Sequence, residues 1–343
     1  MLAIFLVAAC GGSDLGEARF SNEQCRNVEL YDVDTGDLVV GAEDIALVEM
    51  GWAFWVSAYD RLTDQPGGVY LVGVSDLTDR SVIAKNVLPG TKPHGIHSRE
   101  DGEVIAIVRS DNPGDANLIA WSGTPFFELS RVDGEWVEGP PQYVQELSSG
   151  GNCSLNDLVQ RSWTEELSND RIRTHVETYA TVDRENCTGA AIERILGTKS
   201  GRVIELTTRA PTVLDGLDLP NGIAFWGDDT WVAEMRAKRL IALDGERTID
   251  LPGAPDNLNA SDEGIVAALQ PSLWRFGLYR YGYTDRAPTR IVLVDPETEA
   301  IELLFEDPNG RLLSGATAAV LRDEMMIASS VRGEALLVCE DGG

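Results

Sequence analysis

The sequence predicts an all-β fold, a six-bladed β-propeller, on three observations. Short strand-like runs recur along the chain, a polar residue opens each of six successive units, and the two ends carry apolar segments able to pair with each other. Strand signals fall at 28–31, 52–57, 69–74, 104–108, 224–226, 230–233, 265–268, 290–294 and 325–328. They are short, apolar or alternating, and separated by Gly, Asp, Asn and Pro turns. Amphipathic helices are scarce. The stretch 162–200 is polar and reads as a long loop or an irregular blade edge.

The units begin at Glu43-Asp44-Ile45, His94-Gly95-Ile96, Asn156-Asp157-Leu158, Asn221-Gly222-Ile223, Asp256-Asn257-Leu258 and Ser314-Gly315-Ala316. In each, a polar residue precedes a short apolar strand, then a turn and a second strand. Each unit takes about 50 residues, the size of one four-stranded blade. A ring of blades removes the sheet-edge problem only if it closes. Residues 28–31 can supply the closing strand beside 335–338. A pair of β-sandwiches is the competing fold, but it leaves the polar opening of every unit unexplained.

The chain has 343 residues, 43% of them hydrophobic, and a formal net charge of −28. Nucleic-acid binding is excluded as an expectation, because no basic stripe is present to meet phosphates. The N-terminus carries an apolar run ending Val7-Ala8-Ala9-Cys10, followed by Gly11, Gly12 and Ser13. This resembles the lipobox of bacterial lipoproteins and is too short to span a bilayer as a helix. The expected organisation is a signal peptide over 1–9, a tether over 10–24 lipidated at Cys10, and a propeller domain over 25–343. The expected location is the bacterial periplasm or outer surface, with membrane contact only through the lipid. Apart from Cys10, the cysteines are Cys25, Cys153, Cys187 and Cys339. An even number in an exported chain suggests two disulfides, for which three pairings exist. Joining Cys25 to Cys339 would staple the ends of the ring and leave Cys153 with Cys187.

The residues opening the units carry the chemistry. In a propeller the same ends of the innermost strands converge on the central tunnel. Glu43, Asn156, Asn221, Asp256 and Asn257 are thereby expected in one small space. Buried carboxylates and amides without partners are costly. A hard cation with six to eight oxygen ligands removes that cost, and calcium suits a flexible oxygen cage better than magnesium does. Asp44 and Asp157, each one residue further on, are placed to hold a second cation deeper in the tunnel.

These stretches, with Pro93-His94-Gly95-Ile96, Leu155-Asn156-Asp157-Leu158, Pro220-Asn221-Gly222-Ile223 and the tail 314–318, resemble the paraoxonase/arylesterase family of propeller lactonases. The resemblance runs from Cys25 to Cys339. It implies two Ca²⁺ ions. A catalytic ion would be held by Glu43, Asn156, Asn221, Asp256 and Asn257. A structural ion would be held by Asp44, Asp157 and the carbonyl of Ile96. It also implies a Cys25–Cys339 disulfide and a role for His94 as general base. Two family histidines are replaced here, by Ser110 and by Gln270.

The implied activity is calcium-dependent hydrolysis of lactones and aryl esters, the ion polarising the carbonyl and an activated water attacking it. His94 ranks first as the base; metal-bound Asp256 or Glu43 ranks after it. No Gly-x-Ser-x-Gly elbow supports serine chemistry. The competing readings are a gluconolactonase-like sugar lactonase with one ion and a non-catalytic propeller that keeps calcium for stability. His97 reads as a packing or turn residue and His175 as a surface residue. Trp274, Phe276 and Tyr279, in a loop-like stretch, read as packing or as a pocket wall.

Overall fold

The first five sequence units each fold into four neighbouring strands and the sixth into three, because short apolar runs separated by tight turns pair best with the run that follows. The computed structural model describes residues 15–48, 52–99, 102–109, 116–121, 143–147, 153–167, 171–184, 199–206 and 211–341. The first strand, β1 (Cys25–Asp32), belongs to the last blade. Blade one is β2 (Ala42–Leu47), β3 (Ala53–Asp60), β4 (Gln65–Gly73) and β5 (Ser81–Asn86). Blade two is β6 (Pro93–Ser98), β7 (Val104–Arg109), β8 (Ala116–Trp121) and β9 (Tyr143–Leu147). Blade three is β10 (Cys153–Leu167), β11 (Arg171–Arg184), β12 (Gly201–Glu205) and β13 (Thr212–Leu217). Blade four is β14 (Pro220–Trp226), β15 (Asp229–Glu234), β16 (Arg239–Ala242) and β17 (Thr248–Asp250). Blade five is β18 (Ala254–Ser261), β19 (Gly264–Gln270), β20 (Thr289–Val294) and β21 (Ile301–Asp307). Blade six is β22 (Ala316–Arg322), β23 (Met325–Ser330) and β24 (Leu336–Glu340), completed by β1.

The closing strand lies beside the C-terminal strand, as the sequence predicts. β1 pairs antiparallel with β24, in register from Cys25 opposite Cys339 to Val28 opposite Leu336. Its second half, Glu29 to Asp32, pairs in parallel with β5 of blade one. One strand therefore ties the last blade to the first. A disulfide joins the register partners Cys25 and Cys339. Closing a loop of 314 residues restricts the unfolded chain by on the order of 5 kcal/mol in the chain-entropy model.

Both faces of strands such as β3 are buried, so neighbouring residues on such a strand serve different interfaces. Phe54 and Trp55, side by side on β3, are both fully buried. Phe54 packs among blade-six residues such as Val320 and Ile327, and Trp55 among blade-two residues such as Ile96 and Ala106. Double-sided burial explains why many strands read as apolar runs rather than as alternations.

Three stretches differ from the sequence reading. The first part of 162–200 is no loop: β10 and β11 form a long hairpin, paired from Cys153–Arg184 to Leu167–Arg171. Beyond the blade this hairpin has no core to face, and Trp163, Ile172 and Val176 are exposed on it. Without a buried face the strand leaves no apolar period in the sequence. The second stretch is a helix, α1 (Leu273–Arg280), between β19 and β20, with the Ser272 side chain accepting from the Arg275 N–H at its start. Only Phe276 and Tyr279 of α1 are buried, too few for a legible helical stripe, and Trp274 stands exposed. The third stretch is 15–24, part of the region read as a tether. Arg19 and Phe20 donate backbone N–H groups to Leu303 and Leu304 of β21, at 2.9 Å each. Phe20 is buried there, and Arg19 pairs with Glu263 and Glu302. Cys10, Ser110 and Cys187, with the Cys153–Cys187 pairing, lie outside what the structure describes. Among the described residues no helix is long and apolar enough to cross a membrane.

Candidate metal centre

The innermost strands are β2, β6, β10, β14, β18 and β22, and each has a register irregularity at its first residues. The breaks fall between Ala42 and Asp44, Pro93 and Ile96, Leu155 and Leu158, Pro220 and Ile223, Pro255 and Leu258, and Ala316 and Ala318. A bulge frees a residue from the ladder and re-aims its side chain. In the first five units the bulge falls on residues that open the unit, so Glu43, His94, Asn156, Asn221, Asp256 and Asn257 share one end of the tunnel. All six are buried. In the sixth unit the bulge falls on Thr317, three residues after Ser314.

The amides are held by their nitrogens. Asn156 Nδ2 donates to Asp183 Oδ1 at 2.8 Å, Asn221 Nδ2 to Asp256 Oδ1 at 2.6 Å, and Asn257 Nδ2 to the Glu43 carbonyl at 3.1 Å. Each leaves its Oδ1 buried without a hydrogen-bond partner among the described residues. These three acceptors come from β10, β14 and β18, at the same strand ends as Glu43 on β2. Leaving one buried acceptor unsatisfied costs about 1–3 kcal/mol, and three together are a larger cost. Hard oxygen donors of this kind fit Ca²⁺, with Asp256 beside them, and do not fit zinc. Among the described residues no group of three or more His, Cys, Asp or Glu side chains is placed to hold a metal, so the candidate set depends on its asparagines.

Asp256 lies between two amides, accepting from Asn221 and, at Oδ2, from Gln270 Nε2 at 3.2 Å. Burial pushes its carboxyl up to about 7. Gln270 also donates to the Ala316 carbonyl and leaves Oε1 unpartnered among the described residues. His94 Nε2 lies 3.3 Å from Glu43 Oε1, and Nδ1 has no partner among the described residues. Burial, with the charges of Arg109, Arg61 and Arg280 nearby, holds His94 well below the usual imidazole range. Its ring is neutral at pH 7.

Asp44 and Asp157 occupy equivalent places in blades one and three. Asp44 accepts the N–H groups of Ile45 at 2.8 Å and of Ile96, on the next inner strand, at 2.9 Å. Asp157 accepts those of Leu158 at 2.8 Å and Ile223 at 3.0 Å. A hydroxyl supports each: Ser57 accepts from the Asp44 N–H and donates to the His94 carbonyl, and Thr181 does the same between Asp157 and Asn221. Burial and then the charge of Asp157 raise Asp44 well above the carboxylate range, and burial raises Asp157 to about 7. It is the N–H of Ile96 that meets Asp44.

The repeated glycine after the polar residue has a packing cause. A Cβ on Gly95 would fall 2.5 Å from Asp157 Cα, and one on Gly222 would fall 2.5 Å from the Leu258 nitrogen. The inner strands approach too closely for any side chain there. A cavity of about 590 Å³ opens at the other end of the tunnel, lined by Ala46, His97, Gln160, Phe225 and Asn259 among others. Of the expected ligands only Asp157 and Ile96 reach it, and the unpartnered acceptors do not, so the candidate centre lies at the strand-start end. His97 lines that cavity and bonds the Gln160 carbonyl at 2.6 Å; His175 stacks on Trp163.

Some residues at the site have no counterpart in the unit pattern. Asp183 and Thr181 lie on β11, and Arg61 follows β3. Arg61 pairs with Glu43 Oε2, and its Cζ lies 4.1 Å over the ring of Tyr59. Thr181 matches Ser57 of β3 in its role, but residues on second strands and turns stand apart from those that open the units, so the pattern that reveals the other residues passes over them.

No protein-family model matches the chain, and no curated protein matches it. Among solved structures, it is similar to regucalcin from Agrobacterium tumefaciens, described as a calcium-binding protein, at 10% identity and a TM-score of 0.47, covering 90% of this chain and 94% of that one. It is similar to a protein of unknown function from Bacteroides caccae at 11% identity and a TM-score of 0.45, covering 80% and 87%. BamB from Moraxella catarrhalis matches at 10% identity and a TM-score of 0.37, covering 90% and 85%. Likenesses at these scores carry no argument about family or activity. The six four-stranded blades and their closure by β1 establish the propeller on their own.

Proposed function

We propose that the protein is a calcium-dependent hydrolase of lactones and aryl esters, similar to the paraoxonase/arylesterase family. The observation that carries this reading is the set of three buried amide oxygens on Asn156, Asn221 and Asn257, each without a donor among the described residues. Those three, with Glu43 and Asp256, would hold the ion. When bound, it would supply Lewis-acid polarisation of the substrate carbonyl and stabilise the oxyanion. Asp183 and Asp256 fix two of the amides so that oxygen, not nitrogen, faces the site. Gln270 holds Asp256 in place. His94 is the base we assign: its neutral ring has an unpartnered Nδ1 available to accept a proton from water. The disulfide fits an exported protein, and we further propose lipid anchoring through Cys10.

The test is turnover of phenyl acetate and a panel of γ- and δ-lactones, with calcium and with chelator. Calcium-dependent hydrolysis that falls at least about a hundredfold in His94→Gln supports the reading. Absence of hydrolysis of every substrate by calcium-loaded protein overturns it. A second reading, a one-ion sugar lactonase of the gluconolactonase type, is favoured by a specific observation. Both oxygens of Asp44 and of Asp157 already accept backbone N–H groups. One bound calcium per chain would favour this reading over the two-ion one.

A further inference from the structure

The chain carries 56 acidic residues against 28 Lys and Arg, so cations gathered in one buried place need a reason. Arg61 and Arg109 are gathered at the candidate centre. The Arg61 side chain is 5% exposed and lies over the face of Tyr59. Its Nη1 donates to the Gly41 carbonyl at 3.3 Å, its other terminal nitrogen pairs with Glu43, and Nε has no partner among the described residues. Arg109 Nη1 donates to the hydroxyl of the same tyrosine at 3.2 Å. Tyr59 thus positions both groups, one on its ring face and one on its hydroxyl.

Grouping like charges away from water is unfavourable without a counter-anion. Glu43 is the carboxylate paired with Arg61, and it is also one of the oxygen donors assigned to the cation. With Glu43 engaged by calcium, Arg61 loses that counter-charge. An anion from outside restores the balance, and a planar guanidinium matches a carboxylate through two parallel N–H bonds.

We propose that the site takes an anionic substrate, a lactone or ester carrying a carboxylate apart from the bond to be cleaved, and that Arg61 and Arg109 hold this carboxylate. The inference rests on the hydrolase reading for its reaction, but the recognition itself is tested without turnover.

The experiment is calorimetric titration of the calcium-loaded protein with 4-phenylbutyrate and with its neutral amide, 4-phenylbutanamide. The carboxylate is expected to bind about tenfold more tightly than the amide. Arg61→Gln and Arg109→Gln should each remove most of that preference, with melting curves checking that both variants are folded. Where a glutamine variant fails to fold, Arg61→Lys or Arg109→Lys keeps the charge but not the fork, and the preference should fall severalfold. Equal affinity for the two probes in the unaltered protein overturns the proposal. So does a preference that survives unchanged in the folded variants, which would place the carboxylate on the metal instead. Carboxylate preference without hydrolysis of any substrate would sink the hydrolase reading alone. Hydrolysis of phenyl acetate without carboxylate preference would sink this one alone.

Discussion

Asn221 donates its amide to Asp256 across 2.6 Å and keeps its own Oδ1 buried without a donor among the described residues. The carboxylate orients the amide, and the amide oxygen is left with its lone pairs free to coordinate a cation. Asn221→Ala removes both functions. We predict that it lowers calcium affinity at least about tenfold with the fold retained, read by calorimetric titration and circular dichroism. Affinity unchanged in this variant would remove Asn221 from the ligand set.

Asn156 depends on Asp183 in the same way, through a contact of 2.8 Å. Asp183→Ala should therefore weaken calcium binding about 10–100-fold although Asp183 is not itself a proposed ligand. Asp183→Asn should recover part of that loss, since its amide oxygen can still accept from Asn156. Equal loss in both variants would point to charge rather than orientation.

Without calcium, the buried carboxyls set a pH dependence. Burial raises Asp157 and Asp256 to about 7, against an unfolded carboxyl near 4. The folded state then holds protons that the unfolded state releases. Stability is fully present below about pH 4, falls as pH rises toward 7, and is flat above. In chelator the protein is predicted to melt lower at about pH 8 than at about pH 5, and calcium is predicted to raise the melting temperature most at the higher pH. Melting curves with and without chelator at the two pH values check this. A chelated protein that gains stability between pH 5 and 7 would contradict it.

Gly222 faces the backbone of the next inner strand, where a Cβ would sit 2.5 Å from the Leu258 nitrogen and 2.6 Å from the Asp256 carbonyl oxygen. Gly222→Ala is predicted to cost about 1–3 kcal/mol and to weaken calcium binding, because the displaced segment carries Asp256 and Asn257. Urea unfolding at fixed calcium measures the first effect.

The closing disulfide gives a separate prediction. Cys25→Ser frees two partners that already face each other across β1 and β24. The pairing of those strands should persist while stability drops by about 2–5 kcal/mol. A drop below 1 kcal/mol in urea unfolding would show that the β1–β24 ladder alone closes the ring.

The blade count was legible because bulges and inner-strand starts recur, so Glu43, Asn156, Asn221 and Asp256 stand at repeating positions. The closing strand was legible because 28–31 and 335–338 are apolar at opposite ends of the chain. What repetition did not mark was harder to read. The β10–β11 hairpin projects with Trp163 and Ile172 exposed, so no buried face imprints a period on it. Helix α1 buries only Phe276 and Tyr279. Arg61, Tyr59 and Asp183 reach the site from turns and second strands, and no spacing rule connects them to Glu43 or Asn156. Gln270 was visible only as a missing histidine; in the structure it holds Asp256.

A cation held by oxygen ligands at the starts of the inner strands is the central feature proposed for this protein. Its most direct test is titration of chelator-stripped protein with Ca²⁺, compared with Asn221→Ala and Asp256→Ala. The prediction is saturable binding, with a dissociation constant no weaker than about a millimolar, that is lost or weakened at least tenfold in both folded variants. No binding to the unaltered protein, or equal binding in all three, would contradict it.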